Sequence, residues 1–141
     1  MKALITLLLI IFLGFHSAVF SQSTSEEGRY ITLVDRLELE DSYEITIRSV
    51  GCFHNKQQTI IISREANSHV AILNDSAISL NPKKLEALRK FERQLRYILP
   101  GGCTTIDTYI LKYGPEEYII NDDSCTHSFG KILIEELGFT G

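Results

Sequence analysis

The chain has no tryptophan, no internal repeat and no long low-complexity tract. Repeat architectures and disordered linkers are thereby excluded as its main content. It also lacks the short patterns that announce common chemistries. There is no G-x-S-x-G and no H-E-x-x-H, and Gly101-Gly102 has none of the flanking residues of a phosphate loop. Asn121-Asp122-Asp123-Ser124 groups oxygen ligands but lacks the glycine that an EF-hand loop needs at its sixth position, so it reads as a solvated turn before a helix. Glu116-Glu117 and Glu135-Glu136 are adjacent pairs. Strand neighbours point to opposite faces, so the first pair does not converge on a substrate.

Positive charge is scarce as well. The one charge in the first 21 residues is Lys2; without it, 13 Lys and Arg face 18 Asp and Glu. A domain that acidic is a poor general nucleic-acid binder, because Lys and Arg meet the phosphate backbone.

The N-terminus reads as a secretory signal. Lys2 precedes 13 apolar or small residues, Ala3 to Phe15, and small residues at Val19 and Ser21 mark a cleavage region. The apolar run is shorter than the roughly 20 residues of a spanning helix, so no stable membrane span is expected after cleavage. No cysteine lies near the cleavage region for lipid attachment. The expected organisation is a signal peptide over 1–21, a polar lead-in over 22–28 and one domain over 29–141. The expected location is secreted or periplasmic.

Within that domain, RYITLV and RLELEDSYEITIRSV are strand-like. Tyr43, Ile45 and Ile47 alternate with Glu44, Thr46 and Arg48, the period of a half-buried strand. Gly51 interrupts the run, HNKQQ reads as a polar turn, and TIIISRE as the returning strand. HVAIL and SAISL flank Asn74-Asp75 as a hairpin; Asn74-Asp75-Ser76 is also a formal glycosylation sequon. Asn81-Pro82 opens a long helix to Leu99, with Leu85, Leu88, Phe91, Leu95, Ile98 and Leu99 on one side. CTTIDTYILKY and EEYIIND flank Gly114-Pro115 as a further hairpin. A short helix from Ser128 to Leu137 ends at Gly138. Strands in blocks predict an α+β fold: an antiparallel sheet of about five or six strands with one long helix on a face and a short C-terminal helix.

Three cysteines are present, an odd number for an oxidising compartment. A turn centred on Gly114-Pro115-Glu116 brings Cys103 and Cys125 almost opposite each other, so a Cys103–Cys125 disulfide is expected; the alternatives pair Cys52 with Cys103 or with Cys125. That leaves Cys52, whose plain reading is a small buried residue beside a strand bend. Two sharper readings exist. Cys52-Phe53-His54 and Cys125-Thr126-His127 are both Cys-x-His, and together Cys52, His54, Cys125 and His127 make a tetrahedral zinc set. Cys52 with a histidine also makes a nucleophile and base.

The long helix holds the main charge asymmetry. Lys83, Lys84, Arg89, Lys90, Arg93 and Arg96 stand against Glu86 and Glu92. Arg89, Lys90, Arg93, Arg96 and Tyr97 point away from the apolar stripe and form a candidate docking face for an acidic protein or an anionic polymer. The plain reading is a solvated face supported by Glu86–Lys90 and Glu92–Arg96 pairs. The expected function is a small non-catalytic binding or inhibitor-like module with no cofactor. The alternatives are a thiol-dependent enzyme or redox protein using Cys52, and a zinc-stabilised domain.

Overall fold

The computed structural model describes residues 31–125 and 128–139. The signal and lead-in expected over 1–28, the start of RYITLV, and His127 lie outside the described residues. Six strands form one antiparallel sheet in the order β4-β3-β2-β1-β5-β6. They are β1 (Ser42–Gly51), β2 (His54–Arg64), β3 (His69–Leu73), β4 (Ser76–Leu80), β5 (Ile106–Tyr113) and β6 (Glu116–Asp122). The first four make a meander. Helix α2 (Pro82–Gln94) then carries the chain back from β4, and β5 pairs along the free side of β1. A four-residue helix α1 (Leu33–Arg36) precedes the sheet and α3 (Phe129–Leu137) follows it. The α+β class and the antiparallel sheet are as the strand blocks predict.

All the helices lie on one sheet face, because one parity of each strand is apolar. Tyr43, Ile45, Ile47, Ile60, Ile62, Ala71, Tyr109 and Leu111 are buried on that side with Leu88 and Phe91 of α2, Leu95, and Leu133 and Leu137 of α3. Phe91 meets Tyr109 edge to face at 5.6 Å, worth about 1 kcal/mol beyond the burial itself. The opposite face carries no helix and shows Val50, Ile61, Ile106 and Ile119 to solvent.

Four expectations are corrected. The RYITLV run is not a strand: Leu33 to Arg36 are helical, and Thr32 precedes them in extended conformation. Their free amides go to the carboxylate of Glu92, which accepts from Leu33 N and Val34 N and also from the Tyr43 hydroxyl at 2.9 Å. Glu92 is therefore buried, not paired with Arg96 on a solvated face. HNKQQ is not a turn but the first half of β2; the reversal is at Cys52-Phe53, and Gly51 pairs with His54. The helix starts as expected, with Asn81 Oδ1 accepting from Lys84 N at 2.9 Å. It is shorter than expected, because α2 ends at Gln94, a 3-10 turn covers Leu95–Tyr97, and Ile98 is extended. Pro100 disfavours helical geometry at Leu99, so the winding does not reach the expected end.

Candidate binding cleft beside the long hairpin

The β1–β2 hairpin runs past the buried rows of the sheet. Beyond Ile47 the parity that faces the helices turns polar: Ser49 on β1, Lys56 opposite it on β2, and Asp107 opposite it on β5. α3 seats against this region through Gly130, where a Cβ would lie 2.6 Å from Ile47 Cγ2. Only glycine allows that approach. Between the arm and α3 is an open cleft of about 1050 Å³, with Ile47, Ile134 and Phe139 as apolar wall and Ser49, His54, Lys56 and Asp107 among its polar lining.

Asp107 is the unusual residue here. It is 8% exposed. Its Oδ2 accepts one long hydrogen bond from the Tyr109 hydroxyl, 3.4 Å. Its Oδ1 is buried with no hydrogen-bond partner. Buried carboxylate oxygens are ordinarily satisfied, and an orphan calls for a reason. Asp122, directly across in register, has its own donors: Ser124 N at 3.0 Å and Ser124 Oγ at 2.6 Å. Burial, and then the charge of Asp107, push the Tyr109 phenol well above its ordinary range, so Tyr109 keeps its proton and stays a donor. Gly130 N donates to the same phenol oxygen at 3.4 Å, which ties α3 to the Asp107 row.

At the rim, His54 Nε2 and Ser49 Oγ are 3.1 Å apart. The imidazole lies over Gly51, where a Cβ would sit 2.6 Å from His54 Cε1. Ser49, His54 and Asp107 are the residue types of a hydrolytic triad, but the carboxylate is turned to Tyr109. Among the described residues, the polar partner the imidazole shows is Ser49. A hydroxyl, an imidazole and a carboxylate act as a unit only when the acid orients the base.

Cys103 and Cys125 form a disulfide with Cα atoms 5.3 Å apart, just beyond the last β5–β6 pair, Asp107 with Asp122. Asp123 holds the Gly101-Gly102-Cys103 loop beside it, accepting from Gly101 N on Oδ1 at 2.8 Å and from Gly102 N and Cys103 N on its carbonyl. Cys125 is thus not a thiolate, and the four-residue zinc set loses one sulfur. Among the described residues no three His, Cys, Asp or Glu side chains group as metal ligands. Cys52 is free and exposed at the hairpin tip, beside a fully exposed Phe53. The expectation that it is buried is corrected. A tip where both faces of the arm meet solvent has nothing to bury it.

The structure places the basic residues of α2 outward, largely answered by acids. Arg89 grips Asp35 with Nη2 to Oδ1 at 2.8 Å and also reaches Glu86. Arg93 bonds Glu86, and Lys90 lies 3.9 Å from Glu136. Hydrogen bonding from Arg89 holds the Asp35 carboxyl below its ordinary range, and Arg93 does the same to Glu86. Arg96 is exposed and also engaged, and Tyr97 is three-quarters exposed.

Asp107 and Ser49 were not among the residues that composition or motif picked out. The signal available was parity. Asp107 shares the inward register of Tyr109 and Leu111, and Ser49 that of Ile45 and Ile47, so each is a polar residue at an apolar position. Compared with protein-family models, with curated proteins and with solved structures, the chain shows no match.

Proposed function

We propose that the protein is an exported, non-catalytic binding module that takes a peptide segment of a partner protein in the cleft between the β1–β2 hairpin and α3. The observation that carries this reading is Asp107, which lines an open cleft with an apolar wall and keeps a buried Oδ1 without a hydrogen-bond partner. A carboxylate held short of donors is ready for an ammonium or guanidinium group, and charge-assisted bonds of that kind are the stronger ones. Ile47, Ile134 and Phe139 supply a neighbouring surface for an apolar side chain. The segment that fits therefore carries a basic residue beside an apolar one. Export is supported by the signal-like N-terminus and by the disulfide, which suits an oxidising compartment. No helix among the described residues is long and apolar enough to cross a membrane.

The test is titration of isotope-labelled protein with short peptides that place Arg or Lys next to Leu or Phe. Expected are amide shifts at Ser49, Asp107 and Ile134, lost in Asp107→Asn. Silence at those amides with every peptide sinks the cleft. Shifts confined to α2 and the 3-10 turn that follows it, produced by acidic peptides instead, return the site to Arg89, Lys90, Arg93, Arg96 and Tyr97. A second reading, thiol chemistry at Cys52, rests on one observation: that thiol is free and exposed. It requires Cys52 to react as a thiolate near neutral pH.

A further inference from the structure

The two edges of the sheet are defended differently. β6 carries Glu116, Glu117 and Asp122, charges of the kind that keep an edge from pairing with another chain. β4 is Ser76-Ala77-Ile78-Ser79-Leu80, with no charge and no proline. Ser76, Ala77 and Ser79 are exposed, and Ile78 is half-buried against the core.

The backbone groups left open on β4 follow from its turn. Asn74 and Asp75 have φ of 48° and 65°, the left-handed pair of a two-residue type I′ hairpin. Leu73 and Ser76 close that turn and so exchange both backbone bonds. The alternation of an antiparallel ladder makes Ala71–Ile78 and His69–Leu80 the other bonded pairs. The N–H and C=O of Ala77 and Ser79 therefore point out of the sheet edge.

We infer that this edge pairs with the same edge of a second copy, β4 against β4, joining two sheets into one of twelve strands about a two-fold axis through Ile78. Two features favour a second copy over any other strand. Antiparallel pairing sets Ala77 opposite Ser79 of the second copy and Ser79 opposite its Ala77. Every outward group then finds a complementary one, while the Ile78 side chains meet at the closer, non-bonded spacing on the helix side. The strand ends are complementary too: Asp75 lies just before β4 and Lys83 just after it, and the antiparallel arrangement brings the acidic end of each copy to the basic end of the other. Five residues a side bury less than the area of a standard stable interface, so the dimer is weak and depends on concentration.

The experiment is sedimentation velocity of the mature chain from about 10 μM to about 1 mM, the range where an interface this small dissociates. Amide shifts are followed on dilution. Expected is a reversible monomer–dimer equilibrium with dilution shifts at Ala77 and Ser79. Ala77→Lys with Ser79→Lys sets like charges opposite each other twice and weakens the dimer by about tenfold. Ala77→Lys with Ser79→Glu sets opposite charges there and retains it. Ser79→Pro removes an outward N–H without touching the β3 ladder and also dissociates it. Ala77 and Ser79 are exposed, so unchanged melting of each monomer shows that the fold is intact. A chain monomeric at every concentration overturns the proposal. So does a dimer indifferent to the lysine pair and to Ser79→Pro, since its contact is then elsewhere. Loss of the dimer in the Lys–Glu variant as fully as in the Lys–Lys variant overturns the register.

Discussion

Glu92 on α2 and Asp107 on β5 are 2% and 8% exposed. Both carboxylates sit under the helical layer of the same sheet, and their surroundings differ. Glu92 takes three donors, two free amides of α1 and the Tyr43 hydroxyl. Asp107 takes one distant hydroxyl and leaves an oxygen bare. A buried acid with a full set of donors is a structural joint, and one that is short of donors is, on the proposed reading, a site. The expected contrast is that removing the first acid costs stability and removing the second costs binding.

The largest effect is expected at Glu92. Glu92→Ala strands the Leu33 and Val34 amides away from water and takes the Glu92 bond from the Tyr43 hydroxyl. Leaving buried donors unsatisfied costs about 1–3 kcal/mol apiece; partial solvation as α1 frays brings the net loss to about 3–4 kcal/mol. Chemical denaturation would show it as a lower midpoint, with early loss of amide protection at Leu33 and Val34. A midpoint within experimental error of wild type would mean that α1 is not held by this carboxylate.

Gly130 comes next. Gly130→Ala pushes a methyl into Ile47 and lifts α3 from the Asp107 row, at a cost of about 1–3 kcal/mol, as overpacking does. The same lift alters the cleft, so affinity for cleft-binding peptides drops together with the melting temperature. An undiminished affinity would separate α3 from the site.

A smaller effect is a change of slope with pH. Burial raises the Glu92 carboxyl above its ordinary 4.5. Above pH 4.5 the unfolded chain then gives up this proton before the folded one, so the stability it contributes at low pH is lost as pH rises through the folded value. Glu116 behaves in the opposite sense. Its carboxyl is bound by Arg36 at 2.9 and 2.6 Å and by the Tyr118 hydroxyl at 2.6 Å, and these partners hold it down to about 2. Its contribution is present above pH 4.5 and is lost as pH falls toward 2. Glu92→Gln should flatten the decline on the alkaline side and leave the acid limb; Glu116→Gln should do the reverse. Stability measured against pH for the two variants checks both. Identical profiles would break the distinction between a buried acid and a surface ion pair.

Much of this architecture could be read before any coordinates. Alternation along Tyr43 to Ile47 and the two helix signatures are local, and so is the turn at Gly114-Pro115, whose register puts Cys103 beside Cys125. What could not be read depends on distant partners. Ile31-Thr32-Leu33-Val34 is a mostly apolar stretch too short to show a period. Its helical form depends on a carboxylate 59 residues away from Leu33. Glu92 lies among arginines and lysines, but it stands four residues after Leu88 and three before Leu95, on the apolar stripe; its inward direction was legible, and its partners were not. HNKQQ is polar because the arm projects where both faces meet solvent, so the turn signal there was composition without a turn. Asp107 was legible in principle, as an acid in inward parity. Its bare oxygen was not, because that depends on what β6 and α3 fail to offer it.

The smallest change in stability, and the sharpest use of the comparison, belongs to Asp107→Asn. The amide oxygen can keep the Tyr109 bond, and the –NH₂ replaces an uncompensated negative charge facing the cleft. Replacing an unpaired buried carboxylate by a neutral amide lowers the cost of desolvation, so stability should hold or rise by up to about 1 kcal/mol. Affinity for a basic–apolar peptide should fall at least tenfold, the loss expected when a charge-assisted bond becomes a neutral amide contact. Functional sites in proteins commonly hold such unfavourable groups at the expense of stability. If Asp107→Asn instead unfolds the protein as Glu92→Ala does, Asp107 is a structural joint after all. The cleft then has no charged anchor, and the reading of this chain as a peptide-binding module loses the observation it stands on.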